Sequence, residues 1–317
     1  MRLDVELPPG IHVLVRGWLN CNQIVLLGKD SNILIDSGYG RDASKTLALL
    51  KQPAFLGNRP LHRLINTHCH SDHMGGNALL QATYRCQISI PEGEVKHVDP
   101  WTEQSCWAEM TGQYAQQFTY DDTLAAGEIF YGGGYKWDAI AAPGHDMNAL
   151  MFFCEEEQVL VTGDALWENG LGFIWPASIS PEGNAPISPY VAAALDTLDR
   201  IELLHPRLVI PGHGAPFGDV SFALDRARGR LRAFADDPHK NARHVVKVMF
   251  VFALLERGRM AVHEIPRYLA SVPIFREMTG LSAAEDFKAL AEQLVTELVA
   301  QKAIRLESSW AIPCMPA

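Results

Sequence analysis

A chain of 317 residues, 48 % hydrophobic and 20 % charged, has the composition of a globular protein with a sizeable core, which excludes a disordered chain or a fibre. Its formal charge is −10. Residues 235–317 hold ten basic and ten acidic residues, so the whole excess lies in the first 234, which repel polyanions on average. With no run of eighteen apolar residues and no basic-then-apolar start, a soluble, cytoplasmic protein without a membrane span is expected.

Taken in chain order, the runs "IHVLVRG", "QIVLLG" and "NILIDSG" predict three strands, the last two forming a hairpin through "LLGKDSNIL". A helix is predicted over 42–51, a buried strand at "RLINTH", a second helix over 74–83 and a strand at "CQISIP". Further strands fall at "WDAIAAPGH", "ALMFFCEE", "QVLVTGD" and "RLVIPGHG", with a helix over 189–204 before the last. Strands alternating with helices and hairpins give an α/β (α+β) class of mixed layers, with no repeat of solenoid length. Arg226, Arg228, Arg230 and Arg232 in "LDRARGRLRAF" spread over more than one helical face and read as a solvated surface. The cysteines Cys21, Cys69, Cys86, Cys106, Cys154 and Cys314 form no C-x-x-C pair. That argues against a disulfide framework and a zinc ribbon, and most are expected to be buried thiols.

After "ADDPHK" the texture changes. Asp237 is set to cap a helix with Pro238 at its first position, and "VVKVMFVFALLERG" closes on Gly258. A second helix fits "VHEIPRYLA". A third starts at Ser282, whose S-x-x-E pairing with Glu285 makes a capping box, and "AIRLESSWAIP" reads as a hairpin. Three helices and a hairpin are a winged-helix order, which divides the chain into residues 1–235 and a small winged-helix-like unit, 236–317. That unit is charge-balanced and lacks a basic face, so structural or homodimer packing is expected ahead of nucleic-acid binding.

The stretch "INTHCHSDHMGG", residues 65–76, crowds three histidines and an aspartate into six positions between a strand and a helix, and residues 68–73 read as the connecting loop. In an extended segment His68 and His70 face the same way and can grip one ion, while Asp72 and His73, beyond the bend, can face a second. Cys69 points away from its neighbours and stays outside the metal set. Gly75 and Gly76 allow close backbone packing behind the loop. The loop alone completes no site, because catalytic zinc takes three protein ligands and keeps one position open. Later strand ends supply His145 in "AIAAPGHDMN", Asp164 in "VLVTGDAL" and His213 in "LVIPGHG". His12, His62, His97, His205, His239, His244 and His263 sit in no ligand pattern.

An H-x-H-x-D-H motif at 68–73, followed in order by His145, Asp164 and His213 and preceded by Asp36 in "ILIDSG", resembles the metallo-β-lactamase superfamily over roughly residues 10–220. The resemblance implies an αββα sandwich with metals at one edge. It implies that His68, His70 and His145 hold one divalent ion, that Asp72, His73 and His213 hold a second, and that Asp164 bridges both. Asp36 would orient ligands through hydrogen bonds. Ligand chemistry permits zinc, iron or manganese, with zinc the default.

Two adjacent cations bring the pKa of a bound water to about 7 and polarise a substrate oxygen, so metal-activated hydroxide and hydrolysis are expected. Asp72 is the group to orient the water and accept its proton, and Asp164 the other catalytic carboxylate. No G-x-S-x-G supports a serine nucleophile. Trp167, Phe173 and Trp175, shortly after Asp164, are expected to form an apolar substrate wall over the metals. The cluster looks most like the thioester and general hydrolase branch that includes hydroxyacylglutathione hydrolases. The glutathione-binding motifs of true glyoxalase II enzymes are not recognisable, so a small-molecule thioester, ester or lactone is expected. The alternatives are RNA cleavage of the lactamase-like protein 2 type and oxidation by a mononuclear iron persulfide dioxygenase.

Overall fold

The structure, a computed structural model, describes residues 5–101, 108–176 and 188–315. A first sheet runs in spatial order β1 (Ile11–Leu14), β2 (Gln23–Leu27), β3 (Asn32–Ile35), β4 (Arg63–Ile65), β5 (Gln87–Pro91), β6 (Asp122–Leu124), antiparallel as far as β3 and parallel beyond it. A second comprises β7 (Ile129–Gly132), β8 (Tyr135–Ala141), β9 (Leu150–Cys154), β10 (Val159–Gly163) and β11 (Leu208–Pro211), with only β10 and β11 parallel.

Period-2 alternation decides how these sheets stack. Ile33 and Ile35 of β3, Val159 and Val161 of β10, and Leu208 and Ile210 of β11 meet between the sheets around Trp137 and Phe152. The residues between them face outward. Leu34 and Leu64 lie under α1 (Ala43–Leu50) through Leu50, and Leu160 and Val209 under the helices that carry Leu198 and Leu231. Strands buried on both faces have to be apolar on both, which is why β9 and β10 read as unbroken hydrophobic runs. The result is the αββα sandwich that the resemblance implies.

The helix expected over 74–83 is two helices, α2 (Ser71–Met74) and α3 (Asn77–Tyr84), interrupted at Gly75 and Gly76. The ligand cluster is therefore part loop and part helix, with Asp72 and His73 on a helical turn. A Cβ on Gly75 would lie 2.3 Å from the Gly40 amide nitrogen and one on Gly76 2.4 Å from the Ser37 carbonyl oxygen, so both glycines serve close backbone packing as expected. Strands β6 and β7 escaped the sequence reading. In β7 the exposed Ile129 and Tyr131 are as apolar as the buried Phe130, which hides the alternation.

Short helices α4 (Val95–Val98) and α5 (Ala108–Thr111) follow the first sheet, and α6 (Pro189–Leu204) and α7 (Val220–Asp236) cover the second. On α7 the solvated reading fails for Arg230, which is half-buried and lines a cavity, whereas Arg228 pairs with Asp199 and Glu202 at 2.7 Å each.

Helix α8 (Pro238–Arg257) starts as expected, the Asp237 carboxylate accepting from the Lys240 amide at 3.0 Å. Then come β12 (Met260–Ala261), α9 (Ile265–Ser271), α10 (Pro273–Thr279), α11 (Ala284–Ala300) and the hairpin β13 (Ile304–Glu307), β14 (Trp310–Pro313), with β12 paired to β14. The expected three helices are thus four. Val272 is extended before Pro273, which ends α9 and opens α10 at its first position. The capping box at Ser282 does not form, because α11 begins beyond it, behind Ala283, without a side-chain cap. These helices share one apolar cluster with Leu19 and Tyr39, so the C-terminal segment packs beside the ligand edge of the sandwich.

Cys21, Cys69, Cys86 and Cys154 are buried and Cys314 is exposed, none in a disulfide; Cys106 lies outside the described residues. No described helix is long and apolar enough to cross a membrane.

Candidate metal centre

Four chain segments deliver the seven predicted ligands to one edge of the sandwich. His68 and His70 follow β4, Asp72 and His73 stand on α2, His145 follows β8, Asp164 follows β10 and His213 follows β11. Ligand atoms lie within 4.8 Å of one another in each of three sets: His68, His70 and His145; His68, His73 and Asp164; and Asp72, His73 and His213. Asp164 stands between the sets. Its Oδ2 is 3.4 Å from His145 Nε2, and its Oδ1 is 3.3 Å from His73 Nε2 and 3.8 Å from His213 Nε2. The Trp167 indole donates to the same Oδ1 at 3.2 Å. Cys69 packs away from the cluster among Leu34, Leu64 and Met74, as its alternation requires.

Hydrogen bonds fix which nitrogen carries the proton in His145, His73 and His68. His145 Nδ1 lies 2.6 Å from the Phe173 carbonyl oxygen, which can only accept, so Nε2 carries the lone pair and accepts from His70 Nδ1 at 2.9 Å. His73 Nδ1 lies 2.9 Å from Asp36 Oδ2 and donates to it. Asp36 also accepts from the Thr67 amide and hydroxyl, both at 2.8 Å. With its proton so committed, the Thr67 oxygen accepts from His68 Nδ1 at 3.1 Å, which leaves His68 Nε2 as a bare lone pair. That atom is buried without a hydrogen-bond partner among the described residues, and so is His73 Nε2.

Electrostatics divide the rings, keeping His68 and His70 neutral and favouring a proton on His73 that a cation would replace. Burial, then the neighbouring His73, pushes His68 well below the imidazole range, and burial with His145 takes His70 down to about 4. Burial opposes charge on His73, yet Cys21, Asp164, Asp36 and Asp72 hold it well above its ordinary value. Burial likewise opposes charge on Asp164, but His73 and His213 hold it well below the carboxylate range. Converging imidazole nitrogens and ionised carboxylates, buried together, make a donor set suited to divalent cations. The residues fit the metals that the motif implies.

A cavity of about 570 Å³ opens from this centre. Trp167, Phe173 and Trp175 all line it, Phe173 stacked on His70 with ring centroids 6.3 Å apart. Sequence reasoning missed several neighbours. Trp18 stacks on His213, centroids 5.7 Å apart and planes 2° from parallel. Asp146 places Oδ2 3.5 Å from His70 Nε2, and its only sequence signal is its place after His145. Cys21 sits with Asp36 and His73 in a fourth group of ligand type. His97 and His244, assigned to no pattern, also line the cavity.

A two-sheet sandwich with helices outside and a buried His/Asp centre at its strand ends defines a metal-binding fold. The chain belongs to the metallo-β-lactamase superfamily, whose family model matches residues 16–213. A probable metallo-hydrolase of Methanocaldococcus jannaschii is 28 % identical over 48 % of this chain and 69 % of its own length. A hydroxyacylglutathione hydrolase of Rhodopseudomonas palustris is 25 % identical over 51 % of each. An atrochrysone carboxyl ACP thioesterase of Cryptosporiopsis sp. is 25 % identical over 68 % of this chain and 54 % of its own length. The chain thus spans about half the length of the last two. Among solved structures, a β-lactamase domain protein from Burkholderia ambifaria shares the fold over 98 % of this chain and 94 % of that one, with a TM-score of 0.57 and 21 % identity. A metallo-β-lactamase family protein from Thermus thermophilus shares it over 96 % and 99 %, with a TM-score of 0.55 and 20 % identity.

Proposed function

We propose that this chain is a dinuclear metal-dependent hydrolase of a small-molecule thioester, ester or lactone. The observation that carries this reading is the convergence of His68, His70, Asp72, His73, His145, Asp164 and His213 with lone pairs and carboxylate oxygens aimed at one buried space. His68, His70 and His145 would hold one ion, Asp72, His73 and His213 the other, with Asp164 shared. Two divalent cations held there would supply hydroxide at neutral pH and polarise the scissile carbonyl. Asp72, whose Oδ2 is 3.1 Å from His213 Nε2 and whose side chain reaches the cavity, orients the attacking water and takes its proton. Trp18, Trp167 and Phe173 exclude bulk water from the reacting carbonyl. Two of the relatives carry names built on thioester chemistry, which favours that bond over a phosphodiester. We read residues 236–317 as a winged-helix-like unit that completes the cavity wall rather than contacting nucleic acid, in keeping with its balanced charge.

Elemental analysis of the purified protein is expected to return about two metal ions per chain, zinc by default, with chelation abolishing turnover of a thioester panel. A single iron with sulfur-oxidising activity would instead point to a dioxygenase. RNA cleavage with binding that falls steeply between about 50 and 200 mM salt would point to a nuclease.

A further inference from the structure

We infer that the cavity wall supplied by α8 is an acyl-binding site, and that the substrate is an amphiphile with a long apolar acyl chain and a negatively charged group seated at Arg230; this rests on the hydrolase reading above. Val248, Val251, Phe252 and Leu255 recur at three- and four-residue steps and so form one stripe of α8. They line the cavity together with Phe173 and Trp175, Val251 and Leu255 from within the apolar cluster of α8 and Val248 and Phe252 from its edge. An apolar stripe opening onto a catalytic cavity calls for an apolar ligand, and about 570 Å³ is more than a scissile bond and its metals occupy.

The charge of the wall adds the second feature. Away from the metal-centre histidines and aspartates, the charged side chains on the described wall are Lys96, Arg230 and Lys247, all cationic, in a chain whose net charge is −10. Lys247 is answered by Glu297 at 3.0 Å. Arg230 is half-buried, donates to the Asn169 carbonyl at 3.1 Å, and meets no carboxylate among the described residues. A desolvated guanidinium without a counter-ion is costly, and an anionic group on the substrate offsets that cost.

The test uses the intact, metal-loaded protein and two thioester series with acetyl, hexanoyl and decanoyl groups, one on neutral N-acetylcysteamine and one on coenzyme A, which is anionic. In the neutral series kcat/KM is expected to rise by up to about fourfold per methylene while the chain still reaches α8. Val248→Trp, or Val248→Phe should the larger residue prevent folding, is expected to cut the decanoyl-to-acetyl ratio at least tenfold. Arg230→Gln is expected to lower kcat/KM for decanoyl-coenzyme A at least tenfold and for the neutral decanoyl thioester less than threefold. A flat chain-length dependence, or a ratio unmoved by the Val248 variants, overturns the acyl site. Equal effects of Arg230→Gln on both series overturn the anionic contact. If no thioester of any length is cleaved, the thioester form of the hydrolase reading fails instead. The acyl site is then judged on binding: decanoate quenching tryptophan fluorescence at lower concentration than butanoate upholds it, and equal or absent quenching overturns it.

Discussion

Asp36 shows how one residue outside the proposed ligand set can govern several members of it. Its backbone is left-handed, φ 59°, a conformation aspartate tolerates better than most residues, and this turns its carboxylate back toward Thr67 and His73. Through Thr67 it fixes the ring of His68, and directly it fixes that of His73, so one carboxylate sets two tautomers. Asp36→Asn keeps the shape and the turn but puts an amide donor where an acceptor is needed. We expect metal affinity to fall about tenfold to hundredfold, measured by competition with a chromophoric chelator. The mismatch also costs about 1–3 kcal/mol of stability, visible in the melting temperature. Unchanged affinity would show that the rings are held by packing alone.

Among the elements, the α2–α3 break decides where Asp72 and His73 stand. Gly75→Ala forces a Cβ to within 2.3 Å of the Gly40 amide nitrogen and 2.4 Å of the Ser71 carbonyl oxygen, backbone atoms that cannot swing aside. A loss of about 1–3 kcal/mol is expected, read in thermal or denaturant unfolding, together with weakened metal retention. Gly229→Ala is the counterpart: nothing lies within 4 Å of its Cβ in the middle of α7, so a gain of up to about 1 kcal/mol is expected. The same element-level view explains what could be read beforehand. The seven candidate ligand positions could be picked out because strand ends are marked by turn residues and because few other tasks call for histidine and aspartate there. The two sheets were legible in outline from period-2 runs, and α8 from its Asp-Pro start and Gly258 close. Trp18, Asp146 and the α8 stripe were not, because their roles exist only once distant segments meet: Trp18 stacks on a histidine near the far end of the sandwich, and the stripe has the spacing of any core helix. The helix α10 was not legible either, because it follows α9 with only Val272 between them.

At the scale of the whole molecule, the second segment and the sandwich meet in one cavity, and His244 lies on its wall. Burial, then Arg230 and Lys247, pushes its imidazole down to about 4 from an ordinary 6.5. The sign of the pH effect follows from proton counting. Between about pH 6.5 and 4 the unfolded chain binds a proton at this position that the folded chain refuses, so folding is progressively penalised as pH falls through that window and the penalty is constant below it. Because the side chain is only partly shielded from solvent, the effect is on the order of 1–2 kcal/mol rather than the full value of the shift. His244→Gln removes the titrating group and keeps a polar side chain beside Phe234, whose ring centroid lies 5.4 Å from the imidazole. Melting temperatures of the wild type and the variant, compared from about pH 8 to 4, are therefore expected to run parallel above about pH 7 and to draw together or cross below it, as the wild type alone loses this contribution. Curves that stay parallel across the whole range would mean that His244 titrates in the folded protein as it does in the unfolded chain, with neither burial nor Arg230 and Lys247 acting on it.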